Sequence, residues 1–147
     1  MRVAIVGCGR MGRERAMAAA SFGAQQILLF DEDVSRAKSL AKECPGAETL
    51  GDPEALFNGS LDTLFICTPP SSRGYFELRA IESGIPFFVE KPIGVTARQL
   101  RDVKDRLAHT AVLTAVDQEP MLQQAAEVLD VVVVEQHVRV LVENVLI

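Results

Sequence analysis

No stretch of this 147-residue sequence approaches the ~20 consecutive apolar residues that a membrane-crossing helix needs. No cluster of basic residues offsets the net charge of −5, which argues against non-specific nucleic-acid binding. Cysteine is scarce and unpatterned: Cys8, Cys44 and Cys67 have the spacing of neither a metal site nor a redox pair. Their plain reading is as small buried fillers, although Cys8 in a glycine turn and Cys67 at a strand end both stand where a ligand could reach. His109 and His137 have no evident partner and read as helix-terminal or surface residues. Repeats and low-complexity linkers are missing, and the N-terminus enters a strand at once, without the pattern of a signal peptide. The expectation is a cytoplasmic protein with no membrane and no nucleic acid among its partners, and a length that suits one domain with a proper core.

What is present is organised around Arg2 to Gly12. Val3 to Val6 is a short run rich in β-branched residues, as in a strand buried on both faces. It leads into Gly7-x-Gly9-x-x-Gly12, followed by Arg13 to Ala20, a stretch of good helix formers. In such a turn Gly7 permits the tight bend, Gly9 lets the backbone approach a pyrophosphate, and Gly12 lets helix and strand pack closely. The free N–H groups and partial positive charge of the helix start favour a phosphate there. A second strand, Ile27 to Phe30, ends in Asp31, about 20 residues beyond the last glycine, where a ribose 2′-hydroxyl needs an acceptor. The order strand, glycine turn, helix, strand, acid predicts a dinucleotide site, with a ligand-free glycine turn as the plain alternative. Asp31-Glu32-Asp33 opposes a 2′-phosphate, so NAD is expected over NADP.

The rest of the chain alternates in the same way. Asp33 caps a helix with Val34, Ala37, Leu40 and Ala41 on one face, stopped by Pro45-Gly46. Ala47 to Leu50 is a weak strand; Asp52-Pro53-Glu54 opens a short helix ended by Asn58-Gly59; Leu61 to Cys67 is the fourth strand. After Thr68-Pro69-Pro70, Ser71 or Ser72 starts a helix with Tyr75, Leu78 and Ile81 facing inward. Pro86 to Val89 is the fifth strand, ending in Glu90-Lys91-Pro92. Thr96 and Gln99 form a capping box before a helix that buries Leu100, Val103 and Leu107. Ala111 to Val116 is a sixth strand, and Met121 to Leu129 one more helix. This alternation specifies an α/β doubly wound parallel sheet, a Rossmann arrangement of order 3-2-1-4-5-6. Residues 1–130 form the dinucleotide-binding domain and 131–147 a short β-rich tail. The glycine turn, Cys67-Thr68-Pro69-Pro70 and Glu90-Lys91-Pro92 then meet at the carboxyl ends of the strands. A lysine beside a carboxylate there could orient a substrate hydroxyl and help move its proton, or could simply form a solvated ion pair.

Taken together, Cys67-Thr68-Pro69-Pro70, the following helix, and Ser83-Gly84-Ile85-Pro86 running on to Glu90-Lys91-Pro92-Ile93-Gly94 resemble the glucose-fructose oxidoreductase / inositol dehydrogenase / MocA family over about residues 2 to 116. The resemblance implies that Gly7, Gly9, Arg10, Met11 and Gly12 touch the pyrophosphate side of NAD and that Asp31 holds the adenosine ribose. It implies that Thr68 and Pro69, beside Cys67, line the nicotinamide side, that Glu90 and Lys91 lie by the nicotinamide and substrate, and that Lys91 is catalytic. It also implies a cis Lys91–Pro92 peptide. Two departures stand out: Arg15 and Arg73 occupy places where the family often has histidine, and the usual pattern after the sixth strand is absent from Val116 to Met121. The expected function is the NAD-binding domain of an oxidoreductase that moves hydride between NAD and a hydroxyl-bearing substrate such as a polyol or sugar, incomplete as an enzyme in this chain. A non-catalytic NAD(H)-binding or sensing module is the alternative. The tail alternates Val138, Val140 and Val142 with polar neighbours like a half-buried strand, and predicts a homodimer paired through residues 131–147.

Overall fold

The computed structural model describes residues 1–112 and 114–116. Six strands form one parallel sheet in the order β3-β2-β1-β4-β5-β6, as the alternation predicts. They are β1 (Arg2–Val6), β2 (Gln26–Phe30), β3 (Ala47–Thr49), β4 (Thr63–Ile66), β5 (Phe87–Val89) and β6 (Thr114–Val116). The helices are α1 (Arg10–Ser21), α2 (Val34–Glu43), α3 (Tyr75–Glu82) and α4 (Ala97–Leu107). The expected helix at Met121–Leu129, the boundary at residue 130, His137 and the tail 131–147 lie outside the described residues.

Strand alternation sends side chains to two cores. Ala4, Val6, Leu28, Phe30, Leu64, Ile66, Phe87 and Val89 face Leu56, Phe76, Ala80, Ile81 and Val103 on one side. Val3, Ile5, Ile27 and Leu29 meet Ala16, Ala19, Ala37, Leu40 and Cys44 on the other. Burial on both faces is why β1 and β2 read as continuous apolar runs and not as alternating ones. Small residues on α1 let it lie close to the sheet. Two caps are as the sequence predicts: Asp33 accepts from Ser35 N–H, and Thr96 with Gln99 forms a reciprocal box.

Three local expectations are corrected. Helix α1 begins at Arg10, not Arg13, because the turn is complete at Gly9, whose carbonyl accepts the first helical bond, from Arg13 N–H at 2.9 Å. Helix α3 begins at Tyr75 instead of Ser71 or Ser72. Pro70–Ser72 form a 3-10 turn, and Gly74 at φ 112° separates it from the helix, while the Glu77 carboxylate accepts from Gly74 N–H at 2.8 Å. The inward face is therefore Phe76, Glu77, Ala80 and Ile81, and Tyr75 is 43% exposed with its hydroxyl on the Glu54 carboxylate. Val34, expected on the inner face of α2, is exposed, since Ala37, Leu40 and Cys44 set the stripe that touches the sheet.

Candidate cofactor site at the carboxyl ends of the strands

The site is a row of residues, each one step beyond a strand. Gly7 N–H bonds Phe30 O at 2.9 Å, Cys67 N–H bonds Val6 O at 2.7 Å, and Glu90 N–H bonds Ile66 O at 3.0 Å. Asp31, Gly7, Cys67 and Glu90 thus stand side by side on β2, β1, β4 and β5, and the three segments singled out in the sequence converge there.

The glycines divide the work. Gly7 has φ 87°, and a Cβ on it would lie 2.8 Å from the carbonyl carbon and oxygen of Cys67. A Cβ on Gly12 would drive into the carbonyl oxygen of Gly7. Both positions are closed by the protein itself. Gly9 is different: among the described residues nothing lies within 4 Å of the place a Cβ would take. It sits at the head of α1, whose first-turn N–H groups have no side-chain cap. Arg10 is exposed and Met11 half-buried beside it.

Asp31 ties the next strand end to this turn. One carboxylate oxygen accepts from Cys8 N–H at 2.7 Å and the other from Asp33 N–H at 2.9 Å, and each oxygen keeps a second lone pair. A cleft running from Gly7 past Asp31 to Thr68 and Pro69 lies across the switch point between β1 and β4. Thr68 Oγ1, shielded from solvent, has no hydrogen-bond partner among the described residues. An orphaned buried hydroxyl in a cleft calls for a ligand or water.

At the far end the Lys91–Pro92 peptide is cis, Lys91 is exposed, and Glu90 is 7% exposed. Glu90 is not part of a solvated pair at a loop edge. Its Oε1 accepts from Arg15 Nη2 at 2.9 Å and Nε at 3.2 Å, and the Arg15 guanidinium lies 4.6 Å from the centre of the Phe88 ring. Arg73 is buried and donates from Nη1 to Ile66 O at 2.9 Å, so one carbonyl holds both Glu90 and the segment after Thr68. Residue type alone gave no role to Arg15 or Arg73. Their departure from the histidine pattern was the signal that could have found them.

The thiols of Cys8 and Cys44 are buried and that of Cys67 is half-buried, as expected of small fillers. Burial, and secondarily the Asp31 charge, pushes the Cys8 thiol up to about 12. Cys67, half-buried, is pushed up to about 12 by burial and then by Glu90, and burial also raises Cys44. His109 is exposed at the end of α4, its ring Nδ1 by Asp105 O at 2.8 Å. Among the described residues no group of three or more His, Cys, Asp or Glu side chains is arranged to hold a metal ion, and no helix is long and apolar enough to cross a membrane.

A doubly wound sheet with an uncapped glycine turn and an acid at the end of β2 defines a nucleotide-binding domain, and comparison with known proteins agrees. Residues 1–118 match the model of the Gfo/Idh/MocA oxidoreductase family, NAD-binding Rossmann fold. The chain belongs to this family and carries its NAD-binding domain. It is 31% identical over 118 residues to an inositol 2-dehydrogenase of Arthrobacter sp. (strain FB24), covering 76% of this chain and 35% of that protein. It is 29% identical over 119 residues to the scyllo-inositol 2-dehydrogenase (NAD(+)) of Bacillus subtilis (strain 168), covering 79% of this chain and 35% of that protein. The structure of a myo-inositol dehydrogenase from Corynebacterium glutamicum ATCC 13032 matches with TM-score 0.70 and 29% identity, over 79% of this chain and 35% of that one. The chain therefore spans about a third of the length of these relatives.

Proposed function

We propose that this domain binds NAD(H) in preference to NADP(H) and supplies the cofactor side of a dehydrogenase that exchanges hydride with a polyol or sugar hydroxyl. The observation that carries the binding reading is the empty volume in front of Gly9, at the uncapped head of α1 and next to the Asp31 carboxylate. In this reading Gly7, Gly9, Arg10, Met11 and Gly12 surround the pyrophosphate, and Asp31 accepts from the adenosine ribose. Cys67, Thr68 and Pro69 line the nicotinamide side, with the Thr68 hydroxyl available to the ligand. Bound NAD supplies the hydride acceptor. Glu90 and Lys91 flank it, and Lys91, as the catalytic residue, orients the substrate hydroxyl and takes up its proton. The inositol dehydrogenases among its relatives favour polyols as the substrate class. The acidic composition and short apolar runs suit a cytoplasmic protein that takes neither nucleic acid nor membrane as a partner. Pairing of two copies through residues 131–147 is a proposal on the sequence alone.

Calorimetric titration of the wild type and Asp31→Ala with NADH and NADPH tests the specificity. Losing a charged hydrogen-bond partner costs ~1.5–3 kcal/mol, so NADH affinity should fall roughly tenfold to a hundredfold in the variant. NADPH should bind the wild type more weakly than NADH; equal or tighter NADPH binding would sink the preference.

Binding without turnover is a second reading, favoured by the setting of Lys91. It is exposed, and among the described residues it does not line the two clefts beside the glycine turn. Hydride transfer needs a substrate held at near-attack distance, and an open shelf does not hold one. Polyols and sugars screened with NAD+ and this chain should produce little or no NADH absorbance. Robust turnover that disappears in Lys91→Ala would overturn the silent reading and assign the lysine its role.

A further inference from the structure

Arg15 and Glu90 are 75 residues apart in sequence and joined by two hydrogen bonds. Their surroundings make the pair unusual. Elsewhere on the same helix the side chains that meet the sheet are Ala16 and Ala19. Glu90 is buried and Arg15 partly so, and withdrawing charge from water seldom improves on an apolar contact of similar volume, so packing alone gives little reason for charge here. Glu90 is also held from behind, its N–H on Ile66 O, and Arg15 is held against the Phe88 ring. Two opposite charges are thus fixed at the end of the row where the nicotinamide side is proposed.

We infer that the Arg15–Glu90 pair balances the charge beside the nicotinamide and so sets the relative affinity of the site for NAD+ and NADH. The inference rests on the proposed function, which puts Glu90 on the nicotinamide side. The oxidised ring carries a positive charge and the reduced ring none, so a unit charge nearby acts on one form and not the other. At the ring the two fixed charges act with opposite sign. Arg15→Met takes away a positive charge and favours NAD+. Glu90→Gln takes away a negative charge and favours NADH. In a partly desolvated site either change should move the ratio of dissociation constants on the order of tenfold. The double variant removes both charges and returns the ratio to near the wild-type value. A purely structural role weakens both forms together and cannot give shifts of opposite sign.

The experiment measures NAD+, NADH and ADP-ribose affinities by calorimetry on the full chain. ADP-ribose carries no nicotinamide, so it reports the rest of the site. Opposite shifts in the two single variants, with ADP-ribose affinity within about twofold and the double variant restored, are expected. Arg15→Lys, which keeps the charge, should keep the wild-type ratio. Should Arg15→Met not fold, Glu90→Gln carries the test alone through the sign of its shift. Shifts of the same sign, or no shift, in variants that still bind ADP-ribose would overturn the inference and leave the cofactor site standing. A wild type that bound neither ADP-ribose nor NADH would remove the site and the inference with it.

Discussion

Alanine at Gly12 is expected to cost the domain much of its stability, whereas alanine at Gly9 should leave the fold intact and remove cofactor binding. The two glycines are three residues apart and share one motif, yet their missing side chains face different things. A Cβ on Gly12 meets a backbone carbonyl that cannot swing aside, because Gly7 is itself pinned to Phe30 O. Relief requires α1 to lift from β1, which opens the core formed by Ile5, Ala16 and Ala19. Overpacking against backbone costs ~3 kcal/mol or more, a large part of a total stability of roughly 5–15 kcal/mol. That corresponds to a melting temperature lower by about 10 °C. Gly9 has φ −76° and ψ −160°, a conformation open to any residue, and nothing among the described residues lies within 4 Å of the added methyl. Gly9→Ala should melt within about 2 °C of wild type while its NADH affinity falls at least tenfold, since the methyl would stand where the proposed site puts the pyrophosphate. Thermal melts and titrations on the two variants check both halves. Equal loss of stability in both, or unaltered NADH binding in Gly9→Ala, would contradict the division of labour.

Removing the buried Arg73 guanidinium should be nearly as damaging, and its cost should depend on pH. Arg73 is 5% exposed and Glu77 0%, with Arg73 Nη1 and Glu77 Oε1 3.8 Å apart. Burial pushes the Glu77 carboxyl above its ordinary value near 4.5, and the Arg73 charge opposes that rise. Arg73→Met keeps much of the side-chain volume but leaves the carboxylate without its cation, at a cost of ~3–5 kcal/mol when ionised. Its folded pKa then climbs further. A raised folded pKa gives stability that is complete below the unfolded value and is lost as pH rises through the folded one. The variant should therefore be closest to wild type near pH 5 and weakest near pH 8, and Glu77→Gln on top of it should recover most of the loss at pH 8. Urea melts at the two pH values measure this; a deficit independent of pH would show that Glu77 is not the group left stranded.

Much of this molecule was legible from sequence because its signals are local. The glycine spacing, the acid closing β2, and the caps at Asp33 and Thr96 act within a few residues, and the alternation of short apolar runs with amphipathic stretches leads to the observed strand order through general rules of handedness. What escaped depends on distant partners. Arg15 stands out in the sequence only as a departure from the family's histidine until Glu90 and Phe88 are brought to it. Arg73 falls in the first turn of the helix expected from Ser71 or Ser72, yet it lies ahead of α3 and is buried, because Ile66 O offers it an acceptor. The expected start of α3 at Ser71 or Ser72 is displaced for a local reason, since Gly74 takes a positive φ that separates the 3-10 turn from the helix. Starting three or four positions later, the helix leaves Tyr75 exposed and puts Phe76 and Glu77 in the core.

The hydrogen bonds that carry Gly7, Cys67 and Glu90 past their strands make the sheet edge a ruler. Its graduations are neighbouring strands, ~4.8 Å apart, so Asp31 and Glu90 are separated by three divisions, about 14 Å across the edge. Main-chain bonds set that interval, and no side-chain substitution can stretch or shrink it. A related chain that came to read a different molecule would have to alter what stands on each graduation, because the length being measured is a property of the pleated backbone itself.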